Sequence, residues 1–205
     1  MGLIRFTALA VLAAGVLSCV FFAPEVINAE YSILLTELNV YLDGVGLAGN
    51  KLAYFLQRAL YYGGTIAVVW FLAFVPPACV LSYGILFLKS YGLTFTVMCL
   101  YHIKGWDGLI YAIVLMGPQN LIFMPVCCYA VCGCVRQGMG QIRAWMISRG
   151  ARFKEAGTRI RLSKGRSAGD YGYCMLLGTL ASVAAAFIEV WITPLLLAII
   201  YVRGG

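Results

Sequence analysis

The stretch Gly117-Pro118-Gln119-Asn120-Leu121-Ile122-Phe123-Met124-Pro125 lies inside Leu109–Val135, a run without one formally charged residue. Two prolines and an adjacent amide pair are poor company for lipid. Each proline deletes a helix hydrogen bond, and each amide brings donors and acceptors that must be satisfied. Yet the run is long enough to cross a bilayer, which takes roughly 20 helical residues, and the chain around it is just as apolar. Of its 205 residues 62% are apolar and only 11% charged, with a mean hydropathy of +0.90. A soluble domain of this size has no interior large enough for that much apolar surface. Composition therefore predicts an all-α integral membrane protein and excludes a soluble enzyme.

Charge-free runs locate the spans at Phe6–Pro24, Ala59–Leu88, Leu109–Val135 and Tyr171–Val202, the last interrupted only by Glu189. Ala59–Leu88 is too long for one untilted crossing, and Ser90–Ile103, between Lys89 and Lys104, is too short. Val75-Pro76-Pro77 breaks the long run, so one helix ends near Phe74 and a further span runs from about Ala78 to Ile103 with Lys89 inside it. A long, kinked second span with Lys89 at the interface is the alternative. Either way the chain is a polytopic bundle of about five transmembrane helices with Pro-broken helices in its core. Its expected divisions are a first transmembrane helix over 1–24, an extracytoplasmic loop over 25–58 and three close-set segments over 59–135. A basic cytoplasmic loop over 136–170 and a last helix over 171–205 complete the chain.

Charge sets the orientation. Arg136, Arg143, Arg149, Arg152, Lys154, Arg159, Arg161, Lys164 and Arg166 crowd the 136–170 loop, while Glu25, Glu30, Glu37 and Asp43 outnumber the bases of 25–58. Positive segments stay in the cytoplasm, so the N-terminus is expected inside in a multi-pass protein of the cell membrane. The net charge of +7 then reads as a loop held against anionic headgroups of the bilayer, not as a nucleic-acid surface. Arg5 before an apolar run resembles a signal peptide, but apolar residues continue through Val20-Phe21-Phe22-Ala23, as in an uncleaved first span. In the outer loop Tyr31, Leu34, Leu35, Leu38, Tyr41, Leu42 and Val45 share one helical face, and Leu52, Phe55, Leu56, Ala59 and Leu60 resume the pattern after Gly44-Val45-Gly46. That predicts an amphipathic hairpin at the outer surface. Gly157, Ser163, Gly165, Ser167 and Gly169 predict a mobile connector on the inner side.

Catalytic constellations are missing. His102 is the one histidine, with no second histidine, paired carboxylates or phosphate-binding glycine loop to assist it. The eight cysteines include a cluster at Cys127, Cys128, Cys132 and Cys134, but without metal-ligand spacing and in an apolar helix, where cysteine packs as a small hydrophobe. No enzyme activity, cofactor or metal is expected.

Glu189, in Ile188-Glu189-Val190-Trp191-Ile192-Thr193-Pro194, is the exception, because a carboxylate within a span is costly and marks a functional or helix-locking site. Gly178, Ser182, Ala185 and Ala186 recur on its face and permit close helix approach, so Glu189 is expected to point into the bundle. Pro194 leaves the carbonyl of Val190 without its amide, Pro118 that of Val114 and Pro125 that of Leu121. Gln119 and Asn120 can serve those carbonyls or reach Glu189, and Lys89 is a second candidate partner for the acid. Broken helices around a buried acid also fit a permease-like subunit, although no two-fold repeat accompanies them.

Gly105-Trp106-Asp107-Gly108 followed by the Gly117–Pro125 stretch, with Phe87-Leu88-Lys89-Ser90-Tyr91-Gly92-Leu93-Thr94-Phe95-Thr96 before and the Glu189–Pro194 segment after, resembles the stage II sporulation protein M family. The resemblance covers most of Ala59–Leu197. It implies a non-enzymatic scaffold of endospore formation, enriched at the sporulation septum and required for septal thinning and forespore engulfment. The implied partners are the peptidoglycan hydrolases of the family's complex, stage II sporulation proteins D and P. The implied functional positions are Pro118, Gln119, Asn120, Pro125, Glu189 and Pro194.

Overall fold

The computed structural model describes the backbone of residues 2–29, 36, 50–150 and 156–204, and side chains within 2–27, 36, 50–146 and 171–199. The expected outer amphipathic face from Tyr31 to Val45 lies outside the described residues. What is described is almost wholly helical: α1 (Gly2–Ala29), α2 (Lys51–Leu72), a 3-10 turn (Pro76–Val80), α3 (Leu81–Gly150), α4 (Ala156–Phe187), a π-helical turn (Ile188–Ile192) and α5 (Thr193–Gly204). Gly2–Ile27, Pro76–Met146 and Tyr171–Ile199 are long and apolar enough to cross a membrane.

The 71-residue stretch Pro76–Met146 would measure about 105 Å as a straight helix at 1.5 Å per residue. It is not straight. Gly105 has φ 60° and ψ −135°, a backbone that side-chain-bearing residues rarely adopt, and there the chain doubles back. A Cβ on Gly108 would run into the carbonyl of Leu100, and one on Gly138 would sit 2.5 Å from the side chain of Cys79. The arms 81–104 and 106–150 are thus an antiparallel hairpin with the Gly-Trp-Asp-Gly segment at its tip. The break before the first arm falls where the proline pair requires it. Val75 is extended (φ −102°, ψ 98°), as a residue ahead of proline must be. Lys89 therefore belongs to the arm 81–104 and not to a long second span.

Small residues set the packing. On α1 the buried positions are Ala8, Gly15, Cys19, Ala23 and Ile27, a stripe of short side chains against the first arm. Gly15 lies against Ser90 and the carbonyl of Phe87, and Thr7 Oγ1 is 2.8 Å from Tyr83 Oη. Both contacts climb the two helices in the same sense, so they run parallel. On α2 Phe55, Ala59, Tyr62, Ile66 and Val69 face the core, as does Ala73 just past its end. Leu52, Leu56 and Leu60, expected on the same face, are 63, 53 and 75% exposed on the outer side of the helix. Tyr171 Oη donates to the carbonyl of Trp70 at 3.2 Å, and Gly178 meets Ile66, so α4 runs antiparallel to α2. Five rods alternate in direction: α1, α2, the two arms of α3, and α4 with α5.

Three expectations are corrected. The helix does not break at Pro118 or Pro125, since Gly105 is the one interior position of α3 with non-helical dihedrals, and Gly117 is helical. Each proline costs its own helix one hydrogen bond, while Leu115, Phe123 and Cys127, all at most 1% exposed, clamp the segment from every turn. Pro24 likewise sits inside α1, which continues to Ala29. The run from Gly157 to Gly169 is helical, within α4.

Candidate functional site

The π-helical turn at Ile188–Ile192 grows out of Pro194. With no amide at Pro194 to bond the carbonyl of Val190, the helix takes one extra residue. The backbone N–H of Thr193 bonds Ile188, and its hydroxyl donates to the same carbonyl at 3.3 Å. Single π-turns of this kind re-aim side chains within a helix. Here Glu189, 2% exposed, enters the bundle beside α2. Gly178, Ser182, Ala185 and Ala186 are all buried, which brings the two helices close enough for the contact.

Facing it, α2 offers Tyr54, Arg58 and Tyr62 at successive four-residue steps, one polar stripe on an apolar helix. Arg58 Nε is 3.1 Å from Glu189 Oε1, and the Tyr62 hydroxyl donates to Oε2 at 2.8 Å. The Tyr54 hydroxyl donates to Oε1 at 3.4 Å and accepts from Arg58 Nε at 3.0 Å, with the guanidinium 5.0 Å from its ring centre. Both carboxylate oxygens are thus engaged by donors from one helix. Glu189 points inward as expected, but its cation is Arg58, not Lys89. The assignment of 25–58 to a loop hid this, because Arg58 stands two turns inside a helix that begins at Lys51 with Asn50 Oδ1 capping the Ala53 amide at 3.2 Å. The Tyr54/Arg58/Tyr62 spacing was the available signal.

Beside the pair lies a cavity of about 460 Å³ whose walls include Arg58, Tyr61, Lys89, Gln119, Asn120 and Glu189. Of the expected site residues it gathers Lys89, Gln119, Asn120 and Glu189. The prolines 118, 125 and 194 stand behind it in the helices. Gln119 is buried and its Oε1 accepts from the Thr193 hydroxyl at 3.4 Å, which joins the second arm to the start of α5. Asn120 Nδ2 donates to the carbonyl of Met116 at 2.8 Å, within its own helix. Neither amide bonds Glu189 or a carbonyl that a proline leaves unbonded.

Lys89 Nζ lies 3.8 Å from the centre of the Tyr61 ring and 5.7 Å from that of Phe123. A cation over aromatic faces gains about 0.5–2 kcal/mol. All eight cysteines are free thiols, and no group of three His, Cys, Asp or Glu among the described residues could hold a metal ion. Comparisons with models of protein families, with curated proteins and with solved structures found no match.

Proposed function

We propose that the chain is a five-span scaffold of the bacterial cell membrane that acts in endospore formation. In this reading it holds peptidoglycan-degrading enzymes, stage II sporulation proteins D and P, at the asymmetric septum for septal thinning and engulfment. It performs no chemistry of its own. The observation that carries the reading is the meeting of the segments on which the family resemblance rests. Lys89, Gln119, Asn120 and Glu189 come from three of them and line one cavity, while Gly105 of the fourth makes the hairpin turn. Three of the four segments, far apart in sequence, thus share one cavity, and that supports a common role.

The alternation of five rods agrees with five crossings, the N-terminus and the basic segment inside and the hairpin tip outside. An ion pair with hydrogen bonds to both carboxylate oxygens suits a scaffold, because it locks two helices at fixed register. The second reading, a permease-like subunit, draws on the cavity itself, which is polar and beside a buried acid.

Deletion of the gene in its host, followed by starvation and membrane-dye imaging, tests the first reading. Arrest with a flat or bulging septum, rescued by the intact gene, is the expected result. Normal engulfment, or a host that never sporulates, would overturn it and leave the permease reading to be tested by solute uptake.

A further inference from the structure

The cavity holds two cations, Arg58 and Lys89, and Glu189 is the one carboxylate among the described residues that line it. Both oxygens of that carboxylate are taken by α2. The charge of Lys89 thus has ring faces about it but no acidic partner among the described residues.

Depth decides what can answer it. Lys89 stands eight residues past Leu81, about 12 Å along the first arm. A lysine this close to a helix end can reach back to the interface, but Lys89 does not. Its ammonium lies at the ring of Tyr61, a residue about 16 Å before the end of α2 at Leu72, the end that adjoins Leu81. The charge is turned inward, toward the middle of a hydrocarbon layer roughly 30 Å thick. A lipid phosphate stays at the interface. A carboxylate carried on a spanning helix does reach this depth.

The flank of the arm is shaped for such a helix. Gly84, Leu88 and Gly92 follow at four-residue steps next to Lys89. All three are exposed, and a Cβ on Gly84 or Gly92 would meet nothing within 4 Å. The two glycines stand eight residues apart on either side of Leu88, and at each of them a second helix can approach the backbone closely. Among the described residues a second copy of the chain does not supply the missing charge at this level, because its Glu189 is engaged by Arg58 and its Glu25 stands ten residues, about 15 Å, beyond Gly15, the residue that meets Ser90.

We propose that Lys89 is the docking charge for a partner protein's transmembrane helix, which lies along Gly84, Leu88 and Gly92 and brings an Asp or Glu carboxylate at mid-bilayer depth to the ammonium. For its biological role this rests on the scaffold reading; for its chemistry it does not.

The test places the full chain, labelled with a donor fluorophore, in phosphatidylcholine vesicles with an acceptor-labelled synthetic peptide. The peptide is a single Leu/Ala helix of roughly 20 residues with either Asp or Leu at its middle position. The Asp peptide is expected to associate about fivefold to tenfold more tightly, the range that interhelical polar contacts supply. Lys89→Met should abolish that preference, and Gly92→Leu should weaken binding while keeping the charge. Lys89→Glu should reverse the preference toward a peptide with a central Lys, a gain that a misfolded variant cannot show. Equal association of the two peptides, or an Asp preference that survives Lys89→Met, overturns the proposal. So does loss of the preference on adding phosphatidylglycerol, which would make a lipid headgroup the occupant. The vesicles contain no sporulation component, so failure here leaves the septal reading standing, and normal engulfment in the deletion strain leaves the docking charge standing.

Discussion

Arg58 Nε meets Glu189 Oε1 at 3.1 Å, and through that contact α2 is tied to the π-helical turn of the last rod. The pair explains how an apolar helix holds a carboxylate, and the extra residue that the helix takes ahead of Pro194 serves that contact. The turn sets the rotation of Glu189, and the stripe of Tyr54, Arg58 and Tyr62 receives it.

Removing either member leaves the other's charge uncompensated, buried in the case of Glu189 and partly buried in that of Arg58. Glu189→Ala and Arg58→Ala are each expected to lower the unfolding free energy in detergent by about 3–5 kcal/mol. The double variant should lose clearly less than the two single losses together. Strictly additive losses would mean that the two residues do not act as a pair.

The hairpin tip makes a sharper demand on glycine than the rest of α3. Gly105→Ala forces a side chain into a positive-φ backbone, at a cost of about 1–3 kcal/mol, and Gly108→Ala collides with the Leu100 carbonyl. At Gly117 a Cβ would lie 3.9 Å from Ile113 Cγ2, an ordinary contact, so Gly117→Ala should gain up to about 1 kcal/mol from helix propensity. Thermal melts of the three variants check the order. A Gly117 variant as damaged as the Gly108 one would contradict the hairpin.

The packing of α4 on the second arm can be captured covalently. A Cβ on Gly133 would sit 3.8 Å from Cys174 Cβ, inside the roughly 3.5–4.5 Å range of disulfides. Gly133→Cys, with every cysteine but Cys174 replaced by alanine, should oxidise to a loop-closing disulfide. Protease cleavage between residues 147 and 170 would then release two fragments only after reduction. Separation without reductant would place the helices apart.

Sidedness is open to labelling. In a cysteine-free background, Trp106→Cys at the exposed tip should react with a membrane-impermeant maleimide on intact cells, and Met146→Cys only after permeabilisation. Trp106 is 73% and Met146 54% exposed, so access through the protein does not limit either. The opposite pattern would invert the orientation inferred from the basic segment.

Much of the architecture was legible in the sequence. Length and apolarity are additive along the chain, so the charge-free runs fell within long apolar helices, and Pro76-Pro77 marked the boundary inside the one run, Ala59–Leu88, that covers parts of two. Gly178, Ser182, Ala185 and Ala186 foretold the inward aim of Glu189, because small side chains at helical spacing define a close-packed face. The effect of Pro118 and Pro125 was not legible. A proline removes one hydrogen bond, and whether the helix then breaks depends on what packs around it. Nor was the partner of Glu189, since Arg58 borders a charged segment and reads as loop until the capped helix from Lys51 carries it inward.

By itself, then, the sequence determined which segments are apolar enough to cross a membrane, and where the chain turns at Val75-Pro76-Pro77, because apolarity and proline geometry are local properties. Only the tertiary structure decided which cation neutralises Glu189 and that Lys89 turns toward Tyr61 and the cavity. Those outcomes depend on the relative rotation of helices packed side by side, where one extra residue in a π-turn swings a side chain by about 100°.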